Sequence, residues 1–254
     1  MKVVLVGYGR MGVVLERIIN NRKHEVVCRV DALGNGDTRV LAIETLKDAE
    51  GIIEFALPDG ILERIRIYAE SGLPVVIGTT GWDDSAGKAR NIFENCMVSG
   101  NGSVASLLRG NNFSLGAHLF FRMTAFAAGL INKAEEYDVS LLEHHHSKKA
   151  DYPSGTAITA AEGVLASLDR KTHILRDLPD APIPPEALQV ASVRTGSIPG
   201  IHEMRMDSPA DFLTIRHEAR SRGGFALGAV RGLEWLSKKK GWHEAEEFID
   251  DLLG

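Results

Sequence analysis

The opening thirty residues constrain this chain most. Residues 2–6 (KVVLV) form a short β-branched run that ends at a glycine. Gly7-Tyr8-Gly9-Arg10-Met11-Gly12 follows, and residues 10–21 then carry apolar side chains at Met11, Val14, Leu15 and Ile18, which is helical spacing. Residues 25–30 (EVVCRV) are a second apolar run, closed by Asp31. Strand, glycine turn, helix, strand is a βαβ unit, which needs parallel strands.

The glycines have separate mechanical roles. Gly7 permits the tight turn, Gly9 lets backbone approach a pyrophosphate, and Gly12 lets the helix pack on the strand. The helix start offers free N–H groups and partial positive charge to phosphates. A GxGxxG alone is weak, and a glycine-rich turn without a ligand is its bland alternative. The strand before it, the helix after it and an acid nineteen positions beyond Gly12 favour a dinucleotide site. A carboxylate at Asp31 accepts hydrogen bonds from ribose hydroxyls and repels a 2′-phosphate, so NADH is the favoured cofactor over NADPH. The opposing reading is that Asp31 caps a turn and Arg39 folds back to the phosphate.

The alternation continues with strands expected over 51–56, 74–77 and 104–108. Helices are expected from Asp59 as cap to about Ser71, with Gly72 past its end, and over 85–94. Such a series implies a parallel sheet covered on both faces. Past Asn112 the pattern changes. A long helix (114–134), a strand (137–142), a helix (156–168), a proline-rich loop (171–187) and three successive strand-like runs (188–194, 202–206, 212–218) precede two helices near 225–239 and 243–253. Successive strands favour antiparallel pairing, so the expected class is α/β, with a Rossmann-type domain and an α+β domain holding a mostly antiparallel open sheet. The boundary falls near 113.

With 254 residues and 44% hydrophobic composition the chain can bury a real core. A net charge of −5 with interspersed signs argues against nucleic acid as a partner. The apolar run at the N-terminus is too short for a signal peptide, and His118 and Arg122 interrupt the longest apolar segment, so no membrane partner is expected. Two cysteines, Cys28 and Cys96, are too few for a disulfide framework, and a cytoplasmic protein is the expectation.

Residues 143–157 (EHHHSKKADYPSGTA) carry the chemistry. Three adjacent histidines invite a metal. On a strand, however, only His144 and His146 share a side, and Lys148 and Lys149 bring opposing charge, so the expectation is no metal. A solvated basic loop is the bland reading. Pro153-Ser154-Gly155-Thr156 opens a helical run in which Ser154 is a natural N-cap, and Gly155 and Thr156 offer N–H groups and a hydroxyl to a carboxylate or phosphate. His146 and Lys149 add positive charge, while His145 and Lys149 supply groups for proton transfer. The stretch thus has the makings of an anion pocket with acid–base groups.

These residues resemble the signature of the 4-hydroxy-tetrahydrodipicolinate reductase (dihydrodipicolinate reductase) family, close to E-x-H-H-x-x-K-x-D-x-P-S-G-T-A, here Glu143, His145, His146, Lys149, Asp151 and Pro153 to Ala157. Shorter matches lie along the chain: Gly9 to Gly12, Phe55-Ala56, Gly78-Thr79-Thr80-Gly81, Asn112 to Gly116, Arg194 with Gly196, Gly200 and His202, and Ser221-Arg222 with Phe225 to Ala229. The chain departs from the pattern at Asn111, His144, Lys148, Tyr152 and across Asn95–Ser103.

The resemblance implies NAD(P)H-dependent reduction of a small cyclic dicarboxylate in lysine and diaminopimelate biosynthesis, by a homotetramer. It implies a dinucleotide domain (1–113 and 220–254) and a substrate and oligomerisation domain (114–219), with the substrate between them. It puts His145 and Lys149 at the chemistry, and His146, Ser154, Gly155 and Thr156 at the substrate carboxylate. On the cofactor side stand Gly7, Gly9, Arg10, Met11, Gly12, Asp31, Phe55, Gly78, Thr79, Thr80, Asn112, Phe113 and Arg222. The competing readings are another two-domain NAD(P)-dependent reductase of a small anion and a non-catalytic NAD(H) sensor, for which a proton donor has no purpose.

Overall fold

The computed structural model describes residues 1–99 and 105–254, which form two compact units, Met1–Ser114 with Arg222–Gly254, and Leu115–Ser221. The first unit opens with β1 (Lys2–Val6), α1 (Arg10–Asn21), β2 (Glu25–Val30), β3 (Gly51–Glu54), α2 (Ile61–Ser71), β4 (Pro74–Ile77), α3 (Ala86–Ser99) and β5 (Ser106–Arg109). Residues 100–104, which end the Asn95–Ser103 segment and begin the strand expected at Val104, lie outside the described residues.

The second unit holds α4 (Leu115–Ile131), β6 (Asp138–His145), α5 (Gly155–Leu165), β7 (His173–Leu175), β8 (Ala187–Arg194), β9 (Ile201–Asp207) and β10 (Phe212–Glu218). The chain then returns to the first unit through α6 (Gly223–Leu236), β11 (Gly241–Glu244) and α7 (Ala245–Leu253).

The first sheet has the order β11-β5-β4-β3-β1-β2, and every pairing in it is parallel. Val3 to Leu5, Ile52, Ile53, Val75 to Ile77, Leu107 and Leu108 are fully buried, the continuous apolar run that a sheet covered on both faces requires. β1 lies between β2 and β3, so the chain runs from β1 to β2 on one side and then crosses back to β3 on the other. That switch point opens a crevice at the carboxyl ends of the strands.

α2 ends at Ser71 with Gly72 in the left-handed region. Its N-cap, however, is Gly60 rather than Asp59, with no side-chain cap. Pro58-Asp59-Gly60 forms a turn in which Ile61 N–H donates to the Pro58 carbonyl (3.1 Å), so turn chemistry displaces the aspartate cap. β11 was hidden in a polar tetrapeptide, GWHE, which pairs with β5 at the sheet edge.

The second sheet corrects the expectation of a mostly antiparallel array. Its order is β10-β9-β6-β8-β7; β10/β9 and β9/β6 are antiparallel, while β6/β8 and β8/β7 are parallel. The three successive runs do not form a meander, because β6 lies between β8 and β9. The α5 crossover carries the chain from the end of β6 to the same end of the sheet from which β6 started, and this makes β8 parallel to it. β7 was hidden in the proline-rich loop. α4 and the alanine-rich α5 cover this sheet, burying Phe120, Ala128, Ala157, Ala160, Ala161 and Val164 with Leu188, Val190, Met204 and Met206.

Candidate functional site

In the first unit a cavity of about 570 Å³ sits at the switch point, lined among others by Gly7, Gly9, Asp31, Arg39, Phe55 and Arg64. Gly7 has φ +90°, and a Cβ there would lie 2.3 Å from the Phe55 carbonyl oxygen, so only glycine fits. At Gly9, by contrast, a Cβ would meet nothing within 4 Å, leaving open space directly before α1. A Cβ on Gly12 would lie 2.7 Å from the Gly7 oxygen, which explains the close approach of helix to turn. The first-turn N–H groups of Arg10, Met11 and Gly12 precede any intrahelical acceptor. The residues present therefore fit a pyrophosphate.

Asp31 is buried and already bonded. Its carboxylate accepts from Tyr8 N–H (2.8 Å), Leu33 N–H (3.0 Å), Asn35 N–H (3.3 Å) and the Asn35 side chain (3.1 Å). Burial alone would push its carboxyl up, but these bonds hold it below the usual range. Asp31 thus ties the glycine loop to the turn after β2. The Arg39 guanidinium lies against Gly34 in that turn.

The loops after β3 and β4 are tied together by Glu54, which is fully buried. It accepts from Arg64 (2.9 and 3.2 Å), from Thr79 Oγ1 (2.9 Å) and from the Tyr68 hydroxyl. Thr79 Oγ1 also accepts from Ala56 N–H (3.1 Å), so this hydroxyl faces inward. The Phe55 ring packs on Gly78, where a Cβ would meet it at 2.2 Å, and lies edge-on to Phe113. Thr80 is exposed. Asn112 Oδ1 accepts from Ser114 N–H (2.8 Å), and Arg222 is the exposed N-cap residue of α6. The sequence offered no sign of Glu54, Arg64 or Tyr68, because a buried carboxylate is recognisable only from the donors that the fold brings to it.

In the second unit β6 carries its alternation to His145, so Glu143 and His145 share the buried face while His144 lies on the other. Cross-strand register aligns Ser192 (β8), Glu143 (β6), His202 (β9) and His217 (β10) in one polar row. Glu143 is the hub. Its Oε1 accepts from Ser192 Oγ (2.7 Å), Arg194 Nη2 (2.7 Å) and Ser154 N–H (3.0 Å). Burial pushes its carboxyl up, but the close His145 ring and the bonds from Ser154, Arg194 and Ser192 outweigh this and hold it well below the usual carboxylate range.

His145 Nδ1 lies 3.0 Å from Glu143 Oε2, and neither atom has a hydrogen-bond partner. His202 Nε2 lies 3.2 Å from Ser154 Oγ and 3.8 Å from Glu143 Oε2. Burial first, then the positive charge of His145, His217 and Lys149, lowers the His202 pKa to about 4 against the opposing pull of Glu143. Glu143, His145 and His202 place three ligand atoms within 4.8 Å of one another. The Arg194 guanidinium on the same carboxylate opposes a second cation there.

Past β6, Lys149 Nζ is paired with both oxygens of Asp151 (2.8 and 2.9 Å), and Arg194 Nη2 bridges the Asp151 carbonyl (2.8 Å) to Glu143. His146 is half-buried, and its carbonyl accepts Lys149 N–H (3.1 Å). Ser154 caps α5 by accepting Ala157 N–H (3.2 Å); its buried hydroxyl faces inward to His202. Exposed Gly155 and half-buried Thr156 form the first turn, with N–H groups that precede any intrahelical acceptor, and a Cβ on Gly155 would meet nothing within 4 Å. The motif residues are thus drawn together, joined by Ser192, Arg194, His202 and His217 from the neighbouring strands.

Comparison with known proteins gives this arrangement a context. Residues 1–96 match the model of the N-terminal part of dihydrodipicolinate reductase, and residues 116–249 that of its C-terminal part. A 4-hydroxy-tetrahydrodipicolinate reductase of Christiangramia forsetii is 35% identical over 253 residues, covering 99% of each chain. That of Chromobacterium violaceum is 34% identical, covering 94% of each. Among solved structures, the dipicolinate-bound dihydrodipicolinate reductase of Paenisporosarcina sp. TG-14 has a TM-score of 0.72 at 21% identity, covering 96% of this chain and 97% of that one, which speaks for the fold. With both halves matched in order and relatives of this identity along its whole length, the chain belongs to the dihydrodipicolinate (4-hydroxy-tetrahydrodipicolinate) reductase family.

Proposed function

We propose that this chain reduces 4-hydroxy-tetrahydrodipicolinate to tetrahydrodipicolinate in lysine and diaminopimelate biosynthesis, as an NAD(P)H-dependent oxidoreductase. Relatives of that name covering 99% and 94% of the chain support the reaction. The observation that carries the chemistry is the juxtaposition, at the end of one strand and the start of the next helix, of an acid–base pair and an anion cradle. A bound NADH or NADPH supplies the hydride.

The chain's own residues do the rest. The open space at Gly9 and the free N–H groups of Arg10, Met11 and Gly12 hold the pyrophosphate. Phe55, the Gly78 to Thr80 loop, Asn112, Phe113 and Arg222 serve the cofactor side, with Thr79 acting through its backbone because its hydroxyl belongs to Glu54. Gly155 and Thr156 take one substrate carboxylate on the N-terminus of α5, with His146 beside them. Ser154 holds that helix start in place from beneath. Negative charge develops on the conjugated ring as hydride arrives, and positive groups stabilise it. Lys149, paired with Asp151, donates the proton to the neighbouring carbon, and His145 is the second acid–base group.

The preference for NADH rests on the carboxylate of Asp31 at the end of β2, whose oxygens already accept from Tyr8, Leu33 and Asn35, so a ribose hydroxyl would have to share them. The Arg39 guanidinium against Gly34 supports a second reading, in which NADPH is used as well. A homotetramer is the assembly. The outer edge of β10 ends its sheet among the described residues, and Phe212 and Leu213 on it are more than half exposed (57% and 52%), a strand that calls for a partner.

The test is a coupled assay that generates the substrate in place and follows NADH and NADPH oxidation separately, with light scattering on the same sample. Oxidation dependent on substrate supports the reading. No oxidation of either cofactor overturns it, and a large advantage for NADPH overturns the preference drawn from Asp31.

A further inference from the structure

The contact between Glu143 and His145 has a consequence for the proton on the histidine. Glu143 Oε2 and His145 Nδ1 are both buried, lie 3.0 Å apart, and have no hydrogen-bond partner. If the neutral ring carried its proton on Nε2, a carboxylate lone pair would face an imidazole lone pair inside the fold. That is a repulsive contact between two desolvated acceptors. A proton on Nδ1 turns the same contact into an attraction. The carboxylate cannot turn away, because Ser192, Arg194 and the Ser154 N–H hold its other oxygen at 2.7, 2.7 and 3.0 Å. The ring is hemmed in too. His202 packs edge-on at 5.1 Å, and a Cβ on Gly200 would lie 3.0 Å from His145 Nε2, so glycine there keeps the space beside Nε2 clear.

We propose that Glu143 is a positioning residue for the reaction, fixing the His145 proton on Nδ1 and leaving Nε2 as the ring atom that exchanges protons with the substrate. This rests on the reading of His145 as an acid–base group. Proton balance is simple. With a proton on each nitrogen the ring is an imidazolium beside the Glu143 carboxylate, and giving up the Nε2 proton returns it to the neutral Nδ1–H form. The same carboxylate accepts the Ser154 N–H at the start of α5, so one buried group sets both the histidine and the anion cradle.

The experiment is a long-range ¹H–¹⁵N correlation spectrum of the full chain labelled on histidine nitrogens, with His145 assigned from the spectrum of His145→Asn. The expected result is Nδ1 protonated in the native chain. In Glu143→Gln the ring should shift towards the other tautomer. Its kcat should fall roughly 10- to 100-fold, with the dinucleotide Kd unchanged, and Glu143→Asp should recover part of the loss. A neutral His145 with its proton on Nε2 in the native chain overturns the proposal, as does a folded Glu143→Gln with native kcat. If Glu143→Gln does not fold, the native spectrum alone decides. Full turnover by His145→Ala would instead overturn the acid–base reading, and with it the catalytic purpose of Glu143, without touching the tautomer result.

Discussion

Acidification should weaken the second unit through His202, by an amount that can be worked out. This side chain is 7% exposed, and its pKa falls to about 4 through burial and the nearby positive charge of His145, His217 and Lys149, with Glu143 opposing. An unfolded chain returns it to its ordinary value of about 6.5. As pH falls, the unfolded state takes the proton first, so stability rises with pH across this window. The contribution is fully present above about pH 6.5 and is lost as pH falls towards about 4. At about 1.4 kcal/mol for each pKa unit the full loss is ~3 kcal/mol, with ~2 kcal/mol gone by about pH 5.

His217 is lowered by burial and adds a loss of the same sign in the same window. Glu143, also lowered, acts only below the ordinary carboxylate range of about 4.3, so it does not enter above about pH 5. The comparison that isolates His202 is therefore the native chain against His202→Gln, which can still reach Ser154 Oγ. The assay is urea unfolding at about pH 8, 7, 6 and 5, followed by far-ultraviolet circular dichroism. Tryptophan fluorescence is the wrong probe, because Trp82, Trp235 and Trp242 all belong to the first unit. The native chain should lose ~2 kcal/mol more than the variant between about pH 8 and 5. Parallel pH profiles would refute the argument.

Three further substitutions test the site. Lys149→Ala should lower kcat by roughly 10²–10⁴ with little change in dinucleotide Kd, and near-native kcat in steady-state assays would remove Lys149 as proton donor. Thr156→Val should mainly raise substrate KM; an unchanged KM counts against the carboxylate cradle on α5. Gly7→Ala combines a φ of +90° with a Cβ 2.3 Å from the Phe55 carbonyl oxygen, so the loop must shift at a cost of about 1–2 kcal/mol or more. Calorimetry should then show dinucleotide Kd raised about tenfold or more, and an unaltered Kd would place the pyrophosphate elsewhere.

The first sheet was legible wherever a buried strand was a continuous apolar run. KVVLV, EVVCRV and PVVI read directly as β1, β2 and β4. β11 was not, since GWHE has no apolar period and becomes a strand only because β5 offers its edge. The second sheet misled for a related reason. Period and composition locate strands, but pairing partners depend on where α5 carries the chain, and the succession of β8, β9 and β10 gives no hint that β6 lies between the first two.

The same physics explains what could be read of the site. A short contiguous segment brings candidate site residues together by itself only where a strand ends and a helix begins, because there the last strand side chains and the first helix N–H groups converge. Residues 143–157 are such a segment, running from the last residues of β6 into the first turn of α5. What Glu143 does there was not legible, although it opens the segment. Its partners Ser192 and Arg194 come from β8, some fifty residues away, and His202 from β9, with His217 of β10 lying beyond His202. Alternation along a strand tells which face a residue takes, and only register tells what lies beside it. A one-residue slip of β8 or β9 would turn Ser192 or His202 to the opposite face and leave a fully buried carboxylate short of donors. Such a group costs several kcal/mol. The polar row therefore pins the register of the sheet as firmly as the apolar face does, and the residues that prepare His145 also help to decide which strands lie together.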